Sequence, residues 1–490
     1  RQSRHAQRSP RGAPVSTAAP LPLASFTGAI EFIAAIQALR MGVAPPTAHL
    51  WRAGESSDLF DEDNDFNFEP DVYVVDRDLD NDGTFDEFEA AGGVDVRRMS
   101  VGTGGIEADF GGRSGKISGN GAWVAFATDD SLDAADTNSS TDVYVRSTTT
   151  DNTQYVSKGT TAGGGGGDLP SINANGRYVT FATSATDLVT GQTKGGLILQ
   201  DRDSDNDSVL DEAGTVVNEH LNKSTGGTVT SGSADTAARA SISPDGSCVA
   251  FKFINGSGLT ADAVPNAVYV RNRTAGTTVL ASKTLGGLAA SEVGNPAISP
   301  NCKYVGFDSS DSALAPFDAS IARDVYVKNL QTGVLDRVSA KEAGIGGLSA
   351  TGTSENAQVY DAGATLLVSS ATKMSGADGG NGFRDPFLVT YTEVPTCTPG
   401  TPTVTAATRV SVTVTLAKCS VAAGAGTVPT GYQVTMYNRT SATPIATQNV
   451  AASATTVTFS SLTTGSLYRF KVAASAAGGV GPTSVYSGFA

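Results

Sequence analysis

The stretch Asp78-Leu-Asp80-Asn-Asp82-Gly83-Thr84-Phe-Asp86-Glu87-Phe-Glu89 places aspartates at loop positions one, three, five and nine, with glycine at six. Ca²⁺ is a hard cation that takes roughly six to eight oxygens, and alternate Asp residues turn their carboxylates to one side while Gly makes the sharp bend. Asp78, Asp80, Asp82 and Asp86 are therefore candidate ligands. Thr84 would offer its backbone carbonyl, and Glu89 stands where a bidentate carboxylate belongs, with Glu87 as substitute. A second copy, Asp203-Ser-Asp205-Asn-Asp207-Ser208-Val209-Leu-Asp211-Glu212, follows the same Asp-Arg-Asp lead, with Ser208 at the Gly position. It nominates Asp203, Asp205, Asp207, the Val209 carbonyl, Asp211 and Glu212 for a second calcium site. A solvated acidic hairpin is the competing reading of both.

Other acidic groups read differently. Asp61-Glu-Asp63-Asn-Asp65-Phe-Asn67-Phe-Glu69 lacks the Gly and reads as a solvated or partner-facing loop. Asp133, Asp136, Asn138 and Asp142 form a sparser cluster. Asp142 recurs as Asp71, Asp324 and Asp385 at one strand start, which suits a structural cap on turn amides better than catalysis.

Three histidines, His5, His49 and His220, leave no three-His metal site, and a Ser-His-acid triad would have to use His49 or His220. No G-x-S-x-G elbow is present. Gly163–Gly167 lacks the Gly-Lys-Ser/Thr of a phosphate loop and reads as a flexible connection. Cys248, Cys302, Cys397 and Cys419 form no C-x-x-C. Their even number suits an oxidising compartment. Either pair could bridge if its Cα atoms come within about 7 Å, and free thiols are the alternative. With 34 basic and 49 acidic side chains, the net charge of −15 argues against nucleic acid and favours cations. No apolar run reaches the roughly 18 residues of a membrane span.

The elements that position these groups come from an internal repeat. Ile117-Ser-Gly-Asn-Gly121 leads to Trp123-Val-Ala-Phe126 and then to Asp142-Val-Tyr-Val145. Ile172–Gly176 leads to Tyr178-Val-Thr-Phe181, Ile242-Ser-Pro-Asp-Gly246 to Cys248-Val-Ala-Phe251, and Ile298–Cys302 to Tyr304-Val-Gly-Phe307. A degenerate copy runs from Val359 through Leu366-Leu-Val368 to Asp385. An opening copy aligns Leu50–Leu59 with Val179–Leu188 and continues to Asp71-Val-Tyr-Val74, which makes six. Each carries about four short strands with tight Gly turns, the unit of a propeller blade.

These turns and strands resemble the TolB-type, WD-repeat-like propellers over residues 21–394. Cys302 in place of the turn Gly and Gly196 in place of the Asp are departures. The acidic loops resemble the DxDxDG calcium loops inserted into propellers. The sixth copy lacks its outer strand, which a segment within Leu21–Gln37 could supply; a short helix over Ala29–Leu39 is the alternative. From residue 395 to 490 the chain turns rich in Thr, Val and Ala, and Leu462, Gly465 and Tyr468 match the tyrosine-corner signature of fibronectin type III sandwiches, with Leu416 at the usual core Trp. The expectation is an all-β chain: a basic tail over 1–20, a six-bladed propeller over 21–394 and a fibronectin type III-like sandwich over 395–490.

The resemblance implies a non-catalytic extracellular or cell-surface binding or scaffold protein, stabilised by Ca²⁺, with a protein or surface-glycan partner. It could be a subunit of a surface assembly or filament. Arg1, Arg4, Arg8 and Arg11 would give the tail a basic arm for homo-oligomer contacts. A secreted polysaccharide-acting hydrolase or lyase and a periplasmic TolB-like partner of an envelope complex are the alternatives.

Overall fold

The computed structural model describes residues 47–51, 69–76 and most of 95–490. Residues 1–46, 52–68, 77–94, 231–239, 315–321, 340–353, 360–364, 371–384, 391–394, 422–427 and loop stretches of one to three residues lie outside it. The basic tail, the Leu21–Gln37 segment and the whole Asp78–Glu89 loop therefore fall outside the described residues.

Within these limits the chain is all-β. Six antiparallel sheets follow one another in chain order, each containing one strand of the Val-Tyr-Val type: Asp71–Asp76, Asp142–Ser147, Gly196–Asp201, Ala267–Asn272, Asp324–Asn329 and Asp385–Thr390. Sheets two to five have four described strands, and sheets one and six have three. The first strands of sheets two to six, Arg113–Ile117, Asp168–Ile172, Ser241–Ile242, Ala297–Ile298 and Ser354–Val359, lie side by side in succession. In sheet one, Trp51 pairs with Asp71 as Thr183 pairs with Gly196. Its first strand is therefore aligned three residues earlier than the Leu50–Leu59 match implies.

The period of two along each strand explains why no sheet stands alone. Val124 and Phe126 pack against Val72, Val74 and Met99 of sheet one, while Ala125 and Ala127 pack against Val179 and Phe181 of sheet three. Val249 and Phe251 likewise meet sheet three, and Ala250 meets Val305 and Phe307 of sheet five. Both faces of the central strands in sheets two to five are apolar, so the core there is a series of layers shared between neighbouring sheets.

Joints at three successive turns, from sheet two to sheet five, fix this stacking. Gly176 of sheet three, in the left-handed region at φ 81°, lies on the Trp123 ring of sheet two, where a Cβ would come 2.3 Å from the indole. Buried Arg202 of sheet three covers the same ring at 4.2 Å and donates to the Gly176 carbonyl. Gly246 and Arg273 of sheet four repeat this on Tyr178 of sheet three, with the guanidinium 4.4 Å from the ring. Between sheets four and five the aromatic is Cys248, the glycine is Cys302 and the arginine is Leu330. Here Cys248 and Cys302 form a disulfide with Cα atoms 5.9 Å apart. Gly246→Ala is expected to cost about 1–3 kcal/mol, because the new methyl meets Tyr178 at a positive φ. Urea unfolding checks this, and an unchanged midpoint would remove the joint from the account.

The glycine run differs from its expected role. Gly165 donates to Asp187, Gly166 to the Ser157 carbonyl and Gly167 to the Thr141 carbonyl, so residues 164–167 are tied to both adjoining sheets.

Two further sheets form the C-terminal sandwich, with strands Thr403–Ala407, Ser411–Thr415 and Thr456–Ser460 in one and Gly431–Asn438, Pro444–Ala451, Tyr468–Ala476 and Gly479–Thr483 in the other. Val412, Val414, Tyr432, Val434, Phe459, Phe470 and Val472 fill the space between them.

Candidate functional site

The second acidic loop leaves sheet three after Asp201 and is held from within. The Asp203 carboxylate accepts the Asp207 and Ser208 amides at 3.1 and 3.2 Å, and Asp207 accepts the Val209 amide at 2.9 Å. Asn206 and Ser208 take φ values of 63° and 76°, so Ser208 adopts the turn that Gly was expected to make. One carboxylate oxygen from each of Asp203, Asp205 and Asp207 lies within 4.8 Å of the others. Oxygens around a Ca²⁺ at about 2.3–2.6 Å fall within such a span, so this donor set fits the ion. Asp203 is buried, and Asp205 and Asp207 are exposed.

Electrostatics points the same way. Slight desolvation and the charge of Asp207 hold Asp205 above the ordinary carboxylate range. Glu212 is held up by the charge of Asp207, then by desolvation and by Asp205 and Asp203. Glu212 feels the charge of the cluster but lies outside the three groups that share the 4.8 Å span, and a cation would relieve the repulsion that raises both groups.

Asp211 has another duty. Its two oxygens take Nε and Nη2 of Arg202, whose side chain is fully buried. A guanidinium sunk on Trp123 needs a charge partner, and Asp211 supplies it. The ninth loop position therefore serves the joint between sheets two and three. Asp203, Asp205, Asp207 and Glu212 remain as side-chain candidates, and the placed groups set no geometry for the Val209 carbonyl. Asp78, Asp80, Asp82, Thr84, Asp86 and Glu89 lie outside the described residues.

The recurrent strand-start aspartate acts differently from a cap on turn amides. In sheet one the Ser100 hydroxyl accepts the Val72 amide and donates to Asp71, whose other oxygen pairs with Arg98 at 3.1 Å. Sheet five repeats this with Ser339, Val325, Asp324 and Arg337. The arginine sits opposite the central Tyr of its sheet, Tyr73 or Tyr326. Where the aspartate is absent, as at Gly196 and Ala267, the arginine position holds His220 or Leu280. Sheet two breaks the pattern: it keeps Asp142 but has Tyr155 opposite Tyr144. Ser157 and the Tyr155 hydroxyl donate to Asp142 Oδ1 at 2.6 and 2.9 Å, while Oδ2 is buried without a hydrogen-bond partner. Burial, with the charge of Asp136 added, raises Asp142 to about 6. The sequence held this signal in the alignment of Arg98, Tyr155 and Arg337, which a reading of aspartates alone passes over.

In the sandwich, the Tyr468 hydroxyl accepts the Thr463 amide at 3.2 Å, closing the tyrosine corner, and Leu416 is buried where the core Trp usually stands. Cys397 and Cys419 are bonded, with Cα atoms 5.8 Å apart. Residues 397–488 match the fibronectin type III domain family. Among solved structures, titin kinase with its flanking domains is 24% identical over 20% of this chain, with TM-score 0.18, and the chain covers 17% of that protein's length. The fibronectin type III domain of human collagen XX, residues P368–P466, is 17% identical over 21% of this chain and 98% of its own, with TM-score 0.17. TolB from Acinetobacter baumannii is 13% identical over 72% of this chain and 67% of its own, with TM-score 0.37. No curated protein sequence matches the chain. The fibronectin type III domain is thus the part of the chain whose family is established.

Proposed function

We propose that this chain is a non-catalytic binding or scaffold protein of an oxidising extracellular or cell-surface compartment. On this reading its six sheets close as a propeller stiffened by Ca²⁺, and its fibronectin type III domain serves as spacer or adhesive module. The observation that carries the calcium part is the convergence of Asp203, Asp205 and Asp207 oxygens within 4.8 Å. Two disulfides and a fibronectin type III domain support the compartment. Ca²⁺ held by these carboxylates would tie the loop to sheet three and neutralise its repulsion.

The test is thermal unfolding of the full chain in Ca²⁺ and in chelator. Binding to the folded state alone adds RT ln(1 + [L]/Kd), about 2.7 kcal/mol at a hundredfold excess over Kd. The melting temperature is expected to drop on chelation, and Asp203→Asn with Asp205→Asn should diminish that drop. Identical melting curves in Ca²⁺ and in chelator would reject both acidic loops as metal sites.

A further inference from the structure

From residue 395 to 490 the chain has no Asp or Glu side chain and five basic ones, Arg409, Lys418, Arg439, Arg469 and Lys471. The preceding 394 residues hold the other 29 basic and all 49 acidic side chains, a net of −20 against +5. Three of the five cations gather at one place. Arg469 and Lys471 project from the strand Tyr468–Ala476 at 3.8 and 4.4 Å from the Tyr486 ring, and Tyr437, paired with Arg469, meets that ring edge-on at 5.2 Å. Arg439, exposed just beyond the adjoining strand, lies 5.6 Å from Phe489, itself 52% exposed. Cations stacked on aromatic rings, with no Asp or Glu side chain anywhere in the domain, make a face for an acidic, partly apolar partner. The stacking already orders these side chains, which reduces what docking must fix.

The same chain carries a surface of that kind. Asp205, Asp207 and Glu212 are exposed on the loop of sheet three, and Val209, Val216 and Val217 are exposed beside them. We infer that the cationic aromatic face of the fibronectin type III domain docks on the acidic loop of a second copy of this chain. The two surfaces differ, so the contact is head-to-tail and propagates unless rotation closes it into a ring. This names a partner for the scaffold described above and rests on that reading for its purpose; the contact belongs to the calcium-free loop, because Ca²⁺ held there would cancel much of its charge, and its test therefore works without calcium.

The test is sedimentation velocity on the full chain with chelator present, so that no metal neutralises the loop. In about 0.02 M salt the mean mass should rise with concentration to at least twice 49.8 kDa, and it should fall back toward one chain in about 0.5 M salt, where screening is strong. Reversing the face (Arg439→Glu, Arg469→Glu, Lys471→Glu) or the loop (Asp205→Lys, Glu212→Lys) should each give monomers. A chain carrying both sets should associate again. If reversal at Arg469 unfolds the domain by stranding Tyr486, the pair Arg439→Glu and Lys471→Glu replaces the set. A monomer at every concentration in low salt overturns the inference. So does association that survives face reversal, or a face that binds an acidic polysaccharide while the chain stays monomeric. A parent chain that stays monomeric in low salt yet keeps its calcium-dependent melting shift rejects this contact alone.

Discussion

Replacing Cys248 and Cys302 together by serine should lower stability by about 4 kcal/mol. The bond closes a segment of 54 residues, and loop-closure entropy sets roughly that magnitude. It also stands where the other joints place glycine beneath an aromatic ring under an arginine, so its loss leaves sheets four and five with neither device. The repeat suggests its own repair. Cys248→Tyr, Cys302→Gly and Leu330→Arg together would rebuild the joint that Tyr178, Gly246 and Arg273 make one sheet earlier. Glycine would also relieve the positive φ of 56° at residue 302. The rebuilt chain should recover more than half of the serine variant's loss in urea unfolding. A triple variant no more stable than the serine pair would show that the joints are not interchangeable.

Asp142→Asn should flatten the acid limb of the stability profile and raise stability at neutral pH. Asp142 is raised in the folded chain from an ordinary 3.8 to about 6 by burial and by Asp136, against the hydrogen bonds of Ser157 and Tyr155. A group raised in this way binds its proton more tightly in the folded state. Its contribution is complete below pH 3.8 and is lost as pH rises through about 6. The span corresponds to about 3 kcal/mol. The groups facing Asp142 are Asp136, Asn138, Tyr155 and Ser157, with Tyr144 stacked on Tyr155 at 5.3 Å. Asparagine removes the charge and hence the loss. Tyr155→Arg provides a sharper check, because it restores the cation that Arg98 and Arg337 supply in sheets one and five. An arginine there favours the carboxylate, so this variant should gain stability with rising pH where the parent loses it. Denaturant unfolding of the three chains from pH 4 to 8 reads both effects, and parallel profiles would discard Asp142 as the titrating group.

The six copies were legible because Val-Ala-Phe and Val-Tyr-Val stretches bounded by glycine turns keep their order through the chain. The tyrosine corner at Tyr468 was legible from its local spacing. Pairings across sheets were not. Asp211 has the right spacing for a metal ligand, but its partner Arg202 must be buried on Trp123 of the neighbouring sheet, and only the stacking reveals that need. Cys248 and Cys302 read as a possible bridge from the sequence, but only the joints beside them show the bond to replace a ring, a glycine and an arginine. The strand-start aspartates recur visibly, but their work passes through Ser100, Ser157 and Ser339, which lie 15 to 29 residues away.

Each joint is divided between two copies: the ring belongs to one sheet, the glycine and arginine to the next. A duplicated copy therefore carries the ring of one joint and the cover of another, and it fits between any neighbours that use the same parts. The copy containing Cys248 does not, since beside a glycine turn it would present an unbonded thiol. Recombination that moves sheets four and five keeps this bond only when they move as a pair. Growth of the array by single copies is confined to the side of the ring–glycine joints.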